Sequence, residues 1–158
     1  MKNIILTAAL AALIVGLPMS CVTCPPPTDK PTCDVQNAEA IGGLVDTGAQ
    51  AMLVLPILPP SIIAAIATYH MAYPLFVTAL NAALAEYELT HSGLWSAALA
   101  ALENLYQDFN KLIMAFGHPS LVTAAKAEVK ARGAGQVLSM LKTDQGKTEL
   151  LKSMRVSQ

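Results

Sequence analysis

Between Asp46 and Glu86 the chain runs for 39 residues without an ionic side chain. A stretch that long cannot face water all round, so it must be covered by other protein or by lipid. Steps of four and three through it give Ile62, Ile66, Tyr69, Tyr73, Phe76, Leu80, Ala83 and Tyr87, a stripe of the kind one helix presents to another. A second stripe of the same period follows at Trp95, Leu99, Leu102, Tyr106, Phe109, Ile113 and Phe116. Thr90-His91-Ser92-Gly93 between them is a short polar connection suited to antiparallel neighbours. The two stripes predict a helical hairpin over residues 61–117. Away from its stripe the second arm reads Ser96, Glu103, Asn104, Gln107, Asp108, Asn110 and Lys111, and water is expected on that side.

The flanking segments are helical too. Asn37 is a candidate helix cap, after which Ile41, Leu44, Val45, Gly48, Met52 and Leu55 recur at helical spacing. Gly42, Gly43 and Gly48 weaken such a helix in water but let a neighbour come close. Pro56, Pro59 and Pro60 end it, and Ser61 caps the hairpin's first arm. Pro74 inside that arm predicts a kink, or two helices meeting end to end. His118-Pro119-Ser120 starts a helix reaching about Arg132, Gly133 and Gly135 form a hinge, and Val137–Met154 reads as one broken or two short helices interrupted at Asp144-Gln145-Gly146. No period-two pattern occurs. The expected fold is all-α, a hairpin or small bundle of about four or five helices, with a domain over 37–158 behind a Pro/Cys-rich stalk at 21–36.

Charge is scarce and uneven. Ionic residues are 13% of the chain and hydrophobic ones 54%, against roughly 25% ionic for an ordinary soluble domain. Residues 21–118 hold two basic and eight acidic side chains, residues 119–158 seven basic and three acidic. A basic tail can touch anionic lipid or nucleic acid, but Lys142, Lys147 and Lys152 read as ordinary solvated helix faces, and no nucleic-acid partner is expected.

Residues 1–20 have the three parts of an export leader: Lys2, an apolar run from Ile4 to Leu17, and Pro18-Met19-Ser20 before Cys21. The run is shorter than the roughly 20 residues that span a bilayer. A small residue followed by cysteine at this place resembles the cleavage site of bacterial lipoproteins, which implies a diacylglycerol on Cys21 and a tether to the membrane. The pattern departs at Pro18, where that family has leucine; cleavage by ordinary signal peptidase is the alternative. Three cysteines in an exported chain leave one unpaired. With Cys21 lipidated, Cys24 and Cys33 remain as an even pair for a disulfide across Pro25–Thr32. Over about thirteen residues the Pro-rich cysteine segment also resembles the small outer-membrane lipoproteins of phage lysis systems. Under the enterobacterial sorting rule, Val22 rather than Asp after the cysteine implies the outer membrane.

A membrane span would best fit Ile62–Ala85, but Thr68, Tyr69, His70, Tyr73, Thr78, Asn81 and Pro74 lower its tendency to insert. Catalytic chemistry finds few carriers. His70 reads as a buried histidine bonded to a neighbour. His91 and His118 flank the second arm, roughly 40 Å apart along a helix, too far for one metal. Glu86 and Glu88 point to different faces of their helix. There is no phosphate loop, nucleophile elbow, His-Glu-x-x-His or calcium loop. Met52, Met71, Met114, Met140 and Met154 read as core filler. No enzyme, cofactor or metal is expected. The sequence implies a lipid-anchored envelope protein that assembles with itself or with other envelope proteins. The alternatives are a membrane-inserting pore, lysis or exclusion factor using residues 47–85, and a carrier of apolar ligands between the hairpin and the helix from Asn37.

Overall fold

Asp29 opens the part of the chain described by the structure, a computed structural model covering residues 29–154. Among these residues the fold is all-α: α1 Lys30–Met52, α2 Pro60–Thr90, α3 Trp95–Ala115, α4 Leu121–Arg132, α5 Ala134–Met140 and α6 Asp144–Ser153. The helical bundle agrees with the periodicity, with six helices where about four or five were expected. The leader, Cys21 and Cys24 lie outside the described residues.

The first helix begins before Asn37. Asp29 caps it, its carboxylate accepting from the Thr32 amide at 3.3 Å. Pro31 sits in the first turn, where a missing N–H costs nothing. Residues 30–36 are therefore helix rather than stalk, and Asn37 lies inside it, donating to Cys33 Sγ at 3.4 Å. At the other end α1 stops at Met52, before the prolines, leaving 53–59 as a connection built mostly of turns.

α1 is the pillar of the bundle and packs against every other described helix. Ala38, Ala40, Ile41, Leu44, Val45 and Ala49 are all but fully buried. It is enclosed because it is thin. A Cβ on Gly42 would stand 2.6 Å from Tyr73 Cε2, and one on Gly43 2.8 Å from Leu141 Cδ1 and 3.0 Å from Tyr73 OH, so α2 and the α5–α6 connection both close in on a bare backbone.

α2 and α3 form the expected hairpin. His91 closes α2 in the left-handed region (φ 52°), its amide bonded to Tyr87 O at 2.8 Å, and Tyr87 meets Trp95 across the turn with ring centroids 5.8 Å apart. In mid-hairpin Tyr69 stacks on Phe109 at 4.7 Å. Of the two predicted stripes, Ile62, Ile66, Tyr69, Leu80, Leu102, Tyr106, Phe109 and Ile113 are buried, while Tyr73, Phe76, Trp95 and Leu99 are half-buried. Phe116 is exposed, because α3 ends one residue earlier. Pro74 does not divide α2, which runs unbroken for 31 residues. Bonds from Tyr69, Tyr73 and Asn81 to α1 hold the helix on both sides of the proline.

The water side of α3 is less wet than its residue types suggested. Asn110 is buried, its Oδ1 accepting from Ser120 Oγ and the Val122 amide, both at 3.2 Å. It thereby fixes the start of α4, which Ser120 caps through the Thr123 amide at 3.1 Å. Gly133 (φ 84°) separates α4 from α5, whereas Gly135 lies within α5. The next break falls at residues 141–143. Thr143 caps α6, so Asp144-Gln145-Gly146 is a first turn rather than an interruption. The buried Glu128 carboxylate takes Arg132 Nε and Ser153 Oγ (2.7 Å), and Arg132 reaches Glu149 at 3.1 Å, which ties α4 to α6.

Candidate functional site

α2 has two faces of opposite character, and the contrast places the candidate site. Its inner face carries the polar side chains. Tyr69 OH donates to Gly42 O at 3.1 Å, Tyr73 OH to Glu39 O at 2.8 Å, and Asn81 Nδ2 to the Glu39 carboxylate. His70 Nδ1 lies 2.9 Å from Asp46 Oδ2. Burial pushes the Glu39 carboxyl above the ordinary carboxylate range against the Asn81 bond, and pushes Asp46 up against the bond from His70. These four residues, which lowered the helix's tendency to enter lipid in the sequence, are spent on α1. His70 is not buried as predicted: its ring is mostly exposed, at the rim of the α1–α2 contact.

The outer face is apolar. Four-and-three steps from Ala64 give Thr68, Met71, Leu75, Thr78, Ala82, Ala85 and Leu89, all exposed. This second stripe is the inner one displaced by two residues, hence on the opposite side of the helix. Met71 is 65%, Leu75 70% and Leu89 85% exposed. The two threonine hydroxyls are satisfied within the helix, Thr68 on Ala64 O at 2.9 Å and Thr78 on Pro74 O at 2.8 Å. α2 is long and apolar enough to cross a membrane, and only 17% of its most apolar 18-residue stretch is buried in the bundle. The sequence held this signal. It is faint because alanine and threonine do not announce a seam as the bulky residues of the inner stripe do.

Further apolar residues cluster at the ends. Leu53, Val54 and Ile57 (90% exposed) project from the α1–α2 connection, at the same end of the bundle as Met114 and Phe116 at the end of α3. Leu94 and Leu89 mark the opposite end, at the hairpin turn. Met71 and Met114 therefore point outward rather than filling a core, unlike Met52 and Met154, which are buried.

The candidate chemical groups stay apart. His91 sits in the hairpin turn, and His118 lies beyond the far end of α3. Glu86 and Glu88 are exposed near the end of α2. Among the described residues no three metal-ligating side chains converge. Glu103 is the odd carboxylate. Its Oε1 is buried without a hydrogen-bond partner, and burial raises its pKa while Lys126 opposes the shift. Tyr69, Tyr73, Tyr106 and Phe109 occupy the space between α1 and the hairpin where an apolar ligand was envisaged.

No family model, curated protein or solved structure matches this chain. Its function is therefore read from its own surfaces.

Proposed function

We propose that this is an exported helical protein, tethered to an envelope membrane by a lipid on Cys21, that works by protein–protein assembly and not by catalysis. The observation that carries the proposal is the outer stripe of α2, exposed and uncharged along the length of the helix, with nothing in the bundle packed on it. A lipid-facing surface needs apolar residues but no seam of period 3.5, whereas a partner helix needs both.

The topology fits a tether. Cys21 precedes the start of α1 by a short Pro-rich segment, and that start lies at the end of the bundle occupied by the α2–α3 turn. The apolar 53–59 connection is at the other end, roughly 35 Å away along α1, where it is free to meet a partner away from the anchored surface. In this proposal Cys24 pairs with Cys33 and braces the tether against the first turn of α1. Cys33 is buried there, in the first turn of α1. Outer-membrane sorting follows from Val22.

A second reading, insertion of residues 47–85 into the bilayer, draws support from the length and apolarity of α2. Its cost is the loss of the Tyr69, His70, Tyr73 and Asn81 bonds to α1 if the helix leaves the bundle. Two measurements separate the readings. Metabolic palmitate labelling is expected in the native protein and lost in Cys21→Ala. Carbonate washing of a Cys21→Ser form is expected to release it as an oligomer, and retention in the membrane pellet would overturn the assembly reading.

A further inference from the structure

The outer stripe of α2 is built to match itself. Its large and small side chains are placed so that reversing the helix sets each large one against a small one, with Thr68 and Ala85 the one small pair. Laid antiparallel on its own copy, Ala64 faces the partner's Leu89, Met71 faces the partner's Ala82, and Leu75 faces the partner's Thr78 across the twofold axis. Laid parallel and in register, Met71 and Leu75 would crowd their own equivalents, while Ala64 and Ala82 would each face its own equivalent across a gap. The stripe spans 26 residues from Ala64 to Leu89, roughly 38 Å of helix.

Charge chooses the same orientation. α2 has no ionic side chain before Glu86 and Glu88. A parallel pair would bring four carboxylates together at one end. An antiparallel pair sends them to opposite ends, Glu86 facing residue 67 and Glu88 residue 65, toward the positive N-terminal end of the other helix. The residues flanking the stripe, Ala67, Ala72 and Ala79, are small enough for close backbone approach.

Resting on the assembly reading above, we propose that the partner of this face is a second copy of the chain, docked antiparallel through α2 about a twofold axis between Leu75 and Thr78. Because the contact is twofold and the same patch serves both copies, it closes as a dimer and leaves the apolar 53–59 ends at the two extremities for further contacts.

The test uses the mature protein with two single substitutions, Ala64→Cys and Leu89→Cys, each treated with a short bismaleimide alone and as an equimolar mixture. The unsubstituted chain controls for its own cysteines. A crosslinked dimer above that background is expected only in the mixture. Crosslinking of either variant alone would indicate parallel packing and overturn the proposal, as would its absence everywhere. Light scattering on the same samples tells the failures apart. A dimer mass without the mixed crosslink removes this interface but leaves assembly standing, whereas a monomer mass removes both. Quenching of a fluorophore on Met71→Cys by a spin label in the lipid chains would show that the bilayer covers the stripe, which also overturns the dimer. Ala82→Glu supplies an independent check, since position 82 is exposed in the single chain. Its helical circular dichroism should be unchanged while the dimer Kd rises on the order of a hundredfold; an unchanged Kd overturns the proposal.

Discussion

Gly146 and Gly135 lie on adjacent short helices, yet adding the same methyl group to each should have opposite effects. A Cβ on Gly146 would fall 2.2 Å from the Met140 carbonyl oxygen, and because that atom is backbone it cannot rotate aside. To admit it, α6 would have to leave the end of α5, and with it the Thr143 cap that accepts from the Gly146 amide at 3.1 Å. Gly146→Ala is expected to destabilise the fold by about 2–3 kcal/mol, the scale of overpacking plus a lost cap. Around Gly135 there is nothing within 4 Å of the added carbon, and its φ is not in the left-handed region. Gly135→Ala should therefore show only the gain in helix propensity and the smaller entropy of the unfolded chain, about 0.5–1 kcal/mol of stabilisation. Urea denaturation of the two variants beside the parent checks both signs. A Gly146→Ala protein as stable as the parent would mean that α6 does not sit as close to Met140 as described.

Elements were legible in the sequence to the extent that large side chains wrote them. The α2–α3 hairpin could be read because Ile62 to Leu80 and Leu102 to Ile113 spell a seam in bulky residues. Ser120 and Gly133 likewise marked the two ends of α4 through their cap chemistry. The central role of α1 was not legible. A helix surrounded on all sides is made of alanine and glycine, and those residues carry a weak periodic signal however deeply they are buried. The same blindness hid the outer stripe of α2, five of whose eight residues are alanine or threonine. Cap chemistry misled once, at Asn37, because Asp29 with Pro31 competes for the same helix start. Pro74 predicts a kink or two helices end to end, and the second does not occur: α2 continues through it as one helix. That continuity has a testable cost. Pro74 is exposed and supplies no core contact, while its ring removes one backbone bond. Pro74→Ala should raise stability by about 1–3 kcal/mol and slightly increase helical circular dichroism, the propensity gain being offset in part by a looser unfolded chain. Loss of stability would show that the backbone shape set by the proline is needed for α2 to lie along α1.

At the scale of the whole molecule, the uneven charge read along the chain is in large part an internal match. The basic C-terminal third folds back on the acidic body, and Lys126 acts on Glu103 as Lys147 acts on Asp46. Neither attraction overcomes burial. Glu39, Asp46 and Glu103 all sit above their ordinary values of 4.5, 3.8 and 4.5, with desolvation the largest cause in each case. A carboxyl whose folded pKa is raised holds its proton more tightly when folded than when unfolded. Its ionised form therefore destabilises the fold at neutral pH, and the penalty is relieved as pH falls through the raised folded value, complete once the unfolded carboxyl is protonated too. Asp29, fully exposed and lowered by its Thr32 bonds, works in the opposite direction at the mouth of α1. With three half-buried groups against one exposed group, the melting temperature should climb as pH is lowered from neutral toward the ordinary carboxylate range. Glu103 is the place to isolate the effect, because its unpartnered Oε1 is the only such buried side-chain atom among the described residues. Glu103→Gln keeps the shape and removes the charge, so it should stabilise the protein at neutral pH. Solvent screening of a half-exposed group holds the gain below about 1 kcal/mol. The difference between variant and parent should shrink to nothing in acid, where both side chains are neutral. Calorimetric scans of the two proteins across that range would show converging curves, and curves that stay parallel would mean that the Glu103 carboxylate is paired rather than stranded.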